Sequence, residues 1–552
     1  MCGIAGTFGN EASDGRFQSL FAGVSHRGPD AAGVFEAGPL HFGMHRLRFR
    51  GPDVGLPVRG SGNVTAYNGQ IFGHFAASGG YVKSVEDLAE EIGVASSQPT
   101  ADGMFAYALY KPQEEQLLLA TDAHFIKPLF YRRLSEGVAF ASEMAPLLRC
   151  GGPSQIHLDA LCDLFEYGWY LSDQSCAADV SLVCKADLSI TRDGLITRPK
   201  RAAYPSACGV ADDATLCARI RESVQRSTLG VGPLGLALSG GLDSSILAWE
   251  LNALGVENLV CVTVRTPEDA ERFSSLAELA LPPGGAWQTW THVVLQVDDD
   301  DFLHSFESGT RLFGQPTTMS SLPLYQRLAD TASAYGVRAM LLGEGVDEYF
   351  GGYASYAKVP AMRQPSDYYR HPARQQLVSL LFGEHRVQAA QDRFDVLFGD
   401  CSDLRAIEVP MRLTRLLLRS DVCLMSRSIE GRVPFLYNRI PDLALTLPWH
   451  ALARTPGKTT LRRVYASFLG ARAQRAKVRF KSSDAMLLRC LKRDRLDERI
   501  AARCGRLLGA TRVEAALSRL QTDAGFDADV LCLLMSLTFL LESDSLYGDP
   551  AN

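Results

Sequence analysis

In the stretch 236–248 an apolar run through Leu238, short enough for a buried strand, stops at Ser239-Gly240-Gly241, and Asp243-Ser244-Ser245 then opens an apolar helical segment. A strand that ends in glycines at a helix N-terminus lets backbone approach a ligand closely and aims unpaired N–H groups, with their partial positive charge, at it. That is an anion site. The serines add neutral donors, whereas Asp243 would repel phosphate unless a divalent cation lay between them, so the combination points to a metal-bound polyphosphate. A second glycine-rich string, Gly343-Glu344-Gly345-Val346-Asp347-Glu348-Tyr349-Phe350-Gly351-Gly352-Tyr353, also follows an apolar strand, and its Asp347 could hold Mg²⁺ together with Asp243. At the start of the chain, loss of Met1 would leave Cys2 with thiol and α-amine on one residue. An amine that titrates near about pH 8 can take the thiol proton, which makes an internal nucleophile–base pair. A glycine turn with a helix cap is the blander account of either string, and accident the blander account of Cys2.

These groups need scaffolds, and the chain is long enough for more than one. It has 552 residues, and single domains rarely grow past about 250–300. After Asp212, strands and helices alternate: a helix over 214–227, strands at 259–264, 290–297 and 338–342, and helices over 270–281 and 320–335. Such alternation predicts a parallel sheet covered by helices, with ligands at the carboxyl ends of the strands and adenine near Val262–Val264. Before that, alternating apolar strands suit a layered fold. Between them, Gly151-Gly152-Pro153 and Tyr204-Pro205 bracket a helix near 158–166 and a hairpin ending in Thr191-Arg192-Asp193-Gly194, read here as a connector. Helices beyond about Asp484 read as a packing appendage. The net charge of −6 excludes a global basic field for nucleic acid, and no apolar run reaches the roughly 18 residues of a membrane span. With no secretory leader in view, the cytoplasm is the expected compartment. Thirteen cysteines, an odd number without a Cys-x-x-Cys pair, suit reduced thiols.

Cys2-Gly3-Ile4-Ala5-Gly6, His26-Arg27-Gly28-Pro29-Asp30, His45-Arg46-Leu47 and Tyr67-Asn68-Gly69 together resemble the N-terminal-nucleophile (Ntn) glutaminase domain of class II amidotransferases. The resemblance continues through Gly103–Tyr110, Ile126-Lys127-Pro128-Leu129 and Phe140-Ala141-Ser142-Glu143. It implies an α/β/β/α sandwich over 1–205, with the connector from about 150. Cys2 would attack the glutamine amide, Asn68 and the Gly69 N–H would form the oxyanion hole, and Arg46 would bind the substrate carboxylate. Several positions depart from the pattern. Gln70 stands where the family has glutamate, Val85 in Ser84-Val85-Glu86-Asp87 stands where it has aspartate, and Thr121-Asp122-Ala123-His124-Phe125 replaces Arg-Asp-x-x-Gly. The two lost acids normally hold the glutamine α-ammonium, and each charge-assisted hydrogen bond is worth about 1.5–3 kcal/mol. Glu86 or Asp87 could substitute after a register shift. The expectation is a nucleophile and oxyanion hole that are present and a substrate pocket that is eroded.

Ser239-Gly240-Gly241-Leu242-Asp243-Ser244-Ser245 resembles the pyrophosphate loop of ATP pyrophosphatases and lacks the Gly-Lys-Ser/Thr ending of a Walker loop. The string from Gly343 is similar to the signature of asparagine synthetases, with Val346 replacing serine. Ser420-Asp421, Met425-Ser426, Glu430-Gly431-Arg432-Val433-Pro434-Phe435-Leu436, Gly457-Lys458, Leu461-Arg462 and Arg475-Ala476-Lys477-Val478-Arg479-Phe480 follow in family order. The chain therefore resembles the asparagine synthetase superfamily, which includes β-lactam synthetases and lasso-peptide cyclases. This implies an ATP-pyrophosphatase domain over 212–545 with C-terminal helices. Its ATP site would be built from Leu238, Ser239, Gly240, Gly241, Asp243, Ser244, Ser245, Val264, Gly343 and Asp347, with Mg²⁺ on Asp243 and Asp347. Glu344 and Lys477 would be catalytic, Lys477 by stabilising charge at the α-phosphate. Mg-ATP would adenylate a small-molecule or peptide carboxylate with release of pyrophosphate, and an amine would attack to give amide and AMP. Glu344 stands where β-lactam formers carry tyrosine, which argues against β-lactam closure. The eroded pocket favours a specialised amide synthetase. Its rivals are an ordinary glutamine-hydrolysing asparagine synthetase, a lasso-type macrolactam cyclase and, least favoured given the intact loops, an inactive binding subunit. Glutamine remains a candidate partner, nucleic acid and membrane do not, and a homodimer is left open.

Overall fold

The computed structural model describes residues 2–9, 14–49, 56–60, 62–71, 102–192, 194–199, 212–230, 232–269, 275–279, 281–452, 454, 456–475, 482–522, 525–543 and 546–547. Cys2–Gly9, apolar or small along most of its length, is buried almost throughout and runs in the interior of a six-stranded antiparallel sheet. The order is Val180–Leu182, Phe130–Leu134, Gly137–Ala141, Cys2–Gly9, Leu40–Arg46, Ala31–Ala37. A second six-stranded sheet runs Gly194–Pro199, Ala186–Thr191, Gln116–Thr121, Gly103–Lys111, Asn63–Ile71, Val58–Gly60. Ile4, Phe42, Met44 and Phe140 of the first meet Val64, Ala66, Ala106 and Leu119 of the second in one core. The helices Asp14–Gly23 and Met144–Arg149 pack on the first sheet. The stretch from about 150, read above as a connector, contributes three strands to these sheets: the hairpin expected there pairs Thr191 with Gly194, and its Leu188 pairs with Leu119 on one side and with Thr197 on the other.

The later residues form a five-stranded parallel sheet, ordered Thr291–Gln296, Val260–Arg265, Leu234–Ala237, Ala339–Leu341, Glu430–Arg432. From the central strand Leu234–Ala237 the chain steps first to one side and then to the other. The crevice beyond that strand's carboxyl end is therefore the switch point where such sheets bind ligands. Asp212 caps the helix Asp213–Thr228 by accepting the Thr215 N–H at 2.8 Å. The mixed α/β class is as expected, and one helix is not. Of the helix expected over 270–281, residues 270–274 and 280 lie outside the described residues, and Leu276–Leu279 is a single 3₁₀ turn, because Pro282-Pro283 disfavour helical backbone just ahead of them. No helix among the described residues is long and apolar enough to cross a membrane, and every described cysteine is a free thiol.

The C-terminal helices are more than an appendage. Ala528–Leu541 buries Val530 through Leu540, and its Ser536 accepts the Thr317 N–H at 2.9 Å, fixing a loop of the ligand cavity. The two domains are joined by buried charge. Arg27 donates to Glu143 at 2.7 Å within its own domain and to Asp421 at 2.6 Å across the seam, while Lys127 reaches Asp421 at 3.4 Å and the Gly431 carbonyl at 3.1 Å. Arg27 and Asp421 are almost entirely shielded from solvent. Removing one member strands the others as unpaired charges in a low-dielectric seam. Arg27→Met should therefore destabilise the protein by about 3–5 kcal/mol, read from urea unfolding, and an unchanged midpoint would remove the seam from the energetics of the fold.

Candidate active site

A cavity of about 510 Å³ opens at the switch point. Its first wall is the turn after Leu234–Ala237. Gly240 takes φ +72°, Ser239 Oγ accepts the Gly241 N–H at 3.3 Å and lies 3.2 Å from Ser244 Oγ, and the helix Leu242–Ala253 starts there. Leu238, Ser239, Gly241, Asp243 and Ser244 line the cavity, with Val262 and Val264 beside them. Gly240 forms the turn without reaching the wall, and Ser245 is 2% exposed, turned into the core.

The second wall is the turn after Ala339–Leu341. A Cβ on Gly343 would lie 2.8 Å from Asp243 Cβ, so glycine there lets the two loops meet. Between them stands Lys458, whose Nζ is 2.5 Å from Asp243 and 2.7 Å from Asp347. A Cβ on Gly352 would lie 1.7 Å from Asp347 Oδ1 and 2.3 Å from Lys458 Cε, so this cluster also requires glycine. Burial pulls the Lys458 ammonium down, but the two carboxylates outweigh it and hold it above the ordinary lysine value. Carboxylates from two loops that already converge on one cation fit a hard, oxygen-liganded ion: Asp243 and Asp347 would hold Mg²⁺, which would add countercharge for a polyphosphate. Among the described residues no group of three metal-binding side chains occurs.

Deeper in the cavity, Glu344 Oε1 accepts from Tyr325 at 2.7 Å, Ser420 at 2.6 Å and Arg419 at 2.5 Å, and the Arg419 guanidinium stacks 3.8 Å from the Tyr325 ring centre. Glu344 Oε2 is buried and accepts no hydrogen bond among the described residues. One oxygen is thus fixed by three donors, and the other is buried with no donor among the described residues. Arg412, Arg415, Arg462, Arg475 and Asp529 complete the wall.

The N-terminal site lies across the seam. Cys2 is 3% exposed, and burial pushes its thiol up while the N-terminal amine and Arg46 pull it down. A raised thiol needs a base, which a processed N-terminus would provide. Cys2 pairs with Arg46 in the neighbouring strand. Its N–H donates to Asn68 Oδ1 at 3.0 Å, and Asn68 Nδ2 is buried with no acceptor among the described residues. Gly69 has φ +108°, and a Cβ there would lie 2.0 Å from the Met104 carbonyl. Gln70 Nε2 donates 3.1 Å to Glu430 of the other domain.

Lys477, Val85, Glu86 and Asp87 lie outside the described residues. Sequence reasoning missed Lys458, Arg419, Arg415 and Asp529 as members of the cavity. Lys458 had a signal in Gly457-Lys458, whereas Arg415 and Asp529 sit on helices whose sequence shows only amphipathic or apolar character.

The family model described as "Asparagine synthase" matches residues 215–542, and that described as "Glutamine amidotransferase domain" matches residues 1–201. Asparagine synthetase B (glutamine-hydrolysing) of Escherichia coli is 24% identical over 492 residues, covering 81% of this chain and 75% of its own. Asparagine synthetase (glutamine-hydrolysing) 1 of Bacillus subtilis is 23% identical over 530 residues, covering 81% of each chain. A Mycobacterium tuberculosis protein given that name provisionally is 27% identical over 562 residues, covering 84% of each. Asp243→Asn and Asp347→Asn each remove a negative charge from beside Lys458 with little change in volume. Both should cut ATP–pyrophosphate exchange roughly 10²–10³-fold while circular dichroism stays unchanged, and near-normal exchange in either would end the metal assignment.

Proposed function

We propose that this chain, which belongs to the asparagine synthase family of ATP-dependent amide-forming ligases and carries a glutamine amidotransferase domain, is a specialised amide synthetase that takes its amine from the substrate. The carboxylate substrate meets Mg-ATP in the cavity between the Ser239 and Gly343 turns, and a carboxylate oxygen attacks the α-phosphorus. Pyrophosphate leaves past Asp243, Asp347 and Lys458, and an acyl-adenylate remains. Glu344 Oε2 then accepts a proton from the amine as it attacks the acyl carbon, and AMP departs. Lys477 stabilises the charge that develops around the α-phosphate in both steps.

The observation that carries the choice of amine is Gln70. At the position where the family's acid would hold the α-ammonium of glutamine, this chain has a neutral amide whose N–H is committed to Glu430 across the seam. Val85 removes the second acid. An ordinary glutamine-hydrolysing asparagine synthetase is the second reading, favoured by the buried, unpaired Asn68 Nδ2 beside Cys2. An oxyanion donor without an acceptor costs about 1–3 kcal/mol, which a discarded glutaminase has no reason to bear.

Glutamate release separates the two readings. Weak hydrolysis and amide formation unchanged in Cys2→Ala are expected; robust hydrolysis lost in Cys2→Ala, with synthesis rescued by ammonia, would replace the first reading by the second. For Lys477→Met, which keeps length and loses charge, turnover should fall roughly 10²–10³-fold with the Michaelis constant for ATP little altered. A loss confined to ATP binding would make the lysine an anchor.

A further inference from the structure

The N-terminal domain meets the cavity wall from behind at two places. Asp347 stands on the helix Val346–Phe350, which has five residues and lies between Gly345 at φ +86° and Gly351 at φ +74°. So short a helix has little stability of its own and takes its orientation from its contacts. Two residues turn about 200° round a helix, so Tyr349 faces away from Asp347. There its hydroxyl shares a hydrogen bond of 2.8 Å with His124 Nε2, and the two rings meet edge to face at 5.8 Å. His124 belongs to the N-terminal domain. Burial pulls its imidazole below the ordinary value, against Asp122 and Asp442, so near neutral pH it is the uncharged ring that meets the hydroxyl. Three residues on, Lys127 reaches Asp421 at 3.4 Å and the Gly431 carbonyl at 3.1 Å, behind the helix Thr414–Met425 that carries Arg419 and Ser420 to Glu344.

We infer that the loop 122–127 is a clamp by which the N-terminal domain sets the orientation of these two cavity helices, with His124 the positioning residue for Asp347. It rests on the adenylation reading given above for its consequence in turnover. The loop is built to hold still. Asp122, 2% exposed, accepts the N–H groups of Phe105 at 3.1 Å and of His124, Ile126 and Lys127 at 3.0 Å each. Phe125 holds φ +59°, a left-handed conformation that a bulky side chain keeps where its surroundings fix it, and its buried ring packs edge-on against Phe130. Asp347, for its part, has little room to shift. Lys458 Nζ lies 2.7 Å from it, and Glu348, its neighbour on the same helix, accepts from Tyr353 at 2.6 Å on another side. Loss of the His124 bond removes one restraint on rotation of the helix about its axis, and such a rotation carries Asp347 away from Lys458 and Asp243. The clamp needs neither Cys2 nor glutamine. It gives the N-terminal domain a part in adenylation even where the amine comes from the substrate.

The test uses the full-length protein. Tyr349→Phe removes one oxygen, His124→Phe keeps a ring, and His124→Gln keeps a polar group near the place of Nε2. Calorimetric binding of α,β-methylene-ATP with Mg²⁺ should weaken roughly 3- to 10-fold in each phenylalanine variant, the worth of one buried hydrogen bond, and His124→Gln should recover part of it. The double variant should bind within about two-fold of the singles, because both remove the same contact. In EDTA the variants should match the wild type within about two-fold, since Asp347 acts through the ion. In the nucleotide-free protein, amides of 345–352 should exchange faster with deuterium in the variants while those of Leu234–Ala237 do not. In ATP–pyrophosphate exchange with L-aspartate, L-glutamate or succinate, KM for Mg-ATP should rise by the same factor with kcat little changed. Unaltered binding with Mg²⁺ in both phenylalanine variants would overturn the inference, and so would a loss equal with and without Mg²⁺, or a lowered urea midpoint with affinity unchanged, which leaves the contact a part in stability alone. Binding that depends on His124 without exchange in the wild type would uphold the clamp and count against the adenylation reading; a wild type that binds no nucleotide would sink both.

Discussion

Asp421 is the constraint on which the two active regions depend. It accepts from Arg27 and lies in reach of Lys127, both from the N-terminal domain, and it sits on the helix Thr414–Met425 that also carries Arg415 and Arg419 into the cavity at the switch point. A step of two residues turns about 200° round a helix, so Arg419 and Asp421 face opposite ways by geometry alone. One helix is therefore the partition between the Cys2 side and the Glu344 side. A displacement of the seam would move the donors that fix Glu344 Oε1, because Arg419 and Ser420 are neighbours of Asp421 in the chain.

The cluster of Asp243, Asp347 and Lys458 obeys a second constraint, that two carboxylates held close need a cation at all times. Lys458 supplies it from a backbone at φ +63°, a left-handed conformation that a lysine adopts at a cost. The surrounding backbone accommodates it: Gly343 and Gly352 are the positions at which any side chain would collide with Asp243, Asp347 or Lys458. The repeated glycines of the second string are thus explained by the approach of side chains from two other segments, in addition to the turn itself.

What the sequence made legible was whatever a local pattern determines. The Ser239–Ser245 turn, the strand before Gly343 and the capped helix from Asp213 each follow from a few adjacent residues, and they stand where the pattern puts them. Contacts between segments were illegible for a physical reason. Nothing near Arg415 in the chain says that Gly168, 247 residues away, accepts its hydrogen bond, and nothing near Asp529 says that the helix Ala528–Leu541, apolar nearly all round, turns its first turn to the cavity. The strands after 180 were misread because a short hairpin between glycine and proline interruptions carries the same local signals whether it closes a sheet or links two domains.

Gln70 shows how a seam can set the charge of the residue that faces it. Glu430 is wholly buried, and burial that would protonate it is overcome by Arg432, which donates to it at 2.6 Å, and by the charges of the N-terminal amine and Lys127, so its carboxylate is held below the ordinary value. The residue facing it at 3.1 Å must donate. A glutamate at position 70 in this conformation would set a second carboxylate against the fully buried Glu430, and one would have to protonate or turn away. Glutamine resolves that conflict while keeping the size of the side chain, and the same amide has no charge to offer an α-ammonium group on its other side. The neutral residue is thus explained by what it meets across the domain boundary, where a buried carboxylate calls for a donor.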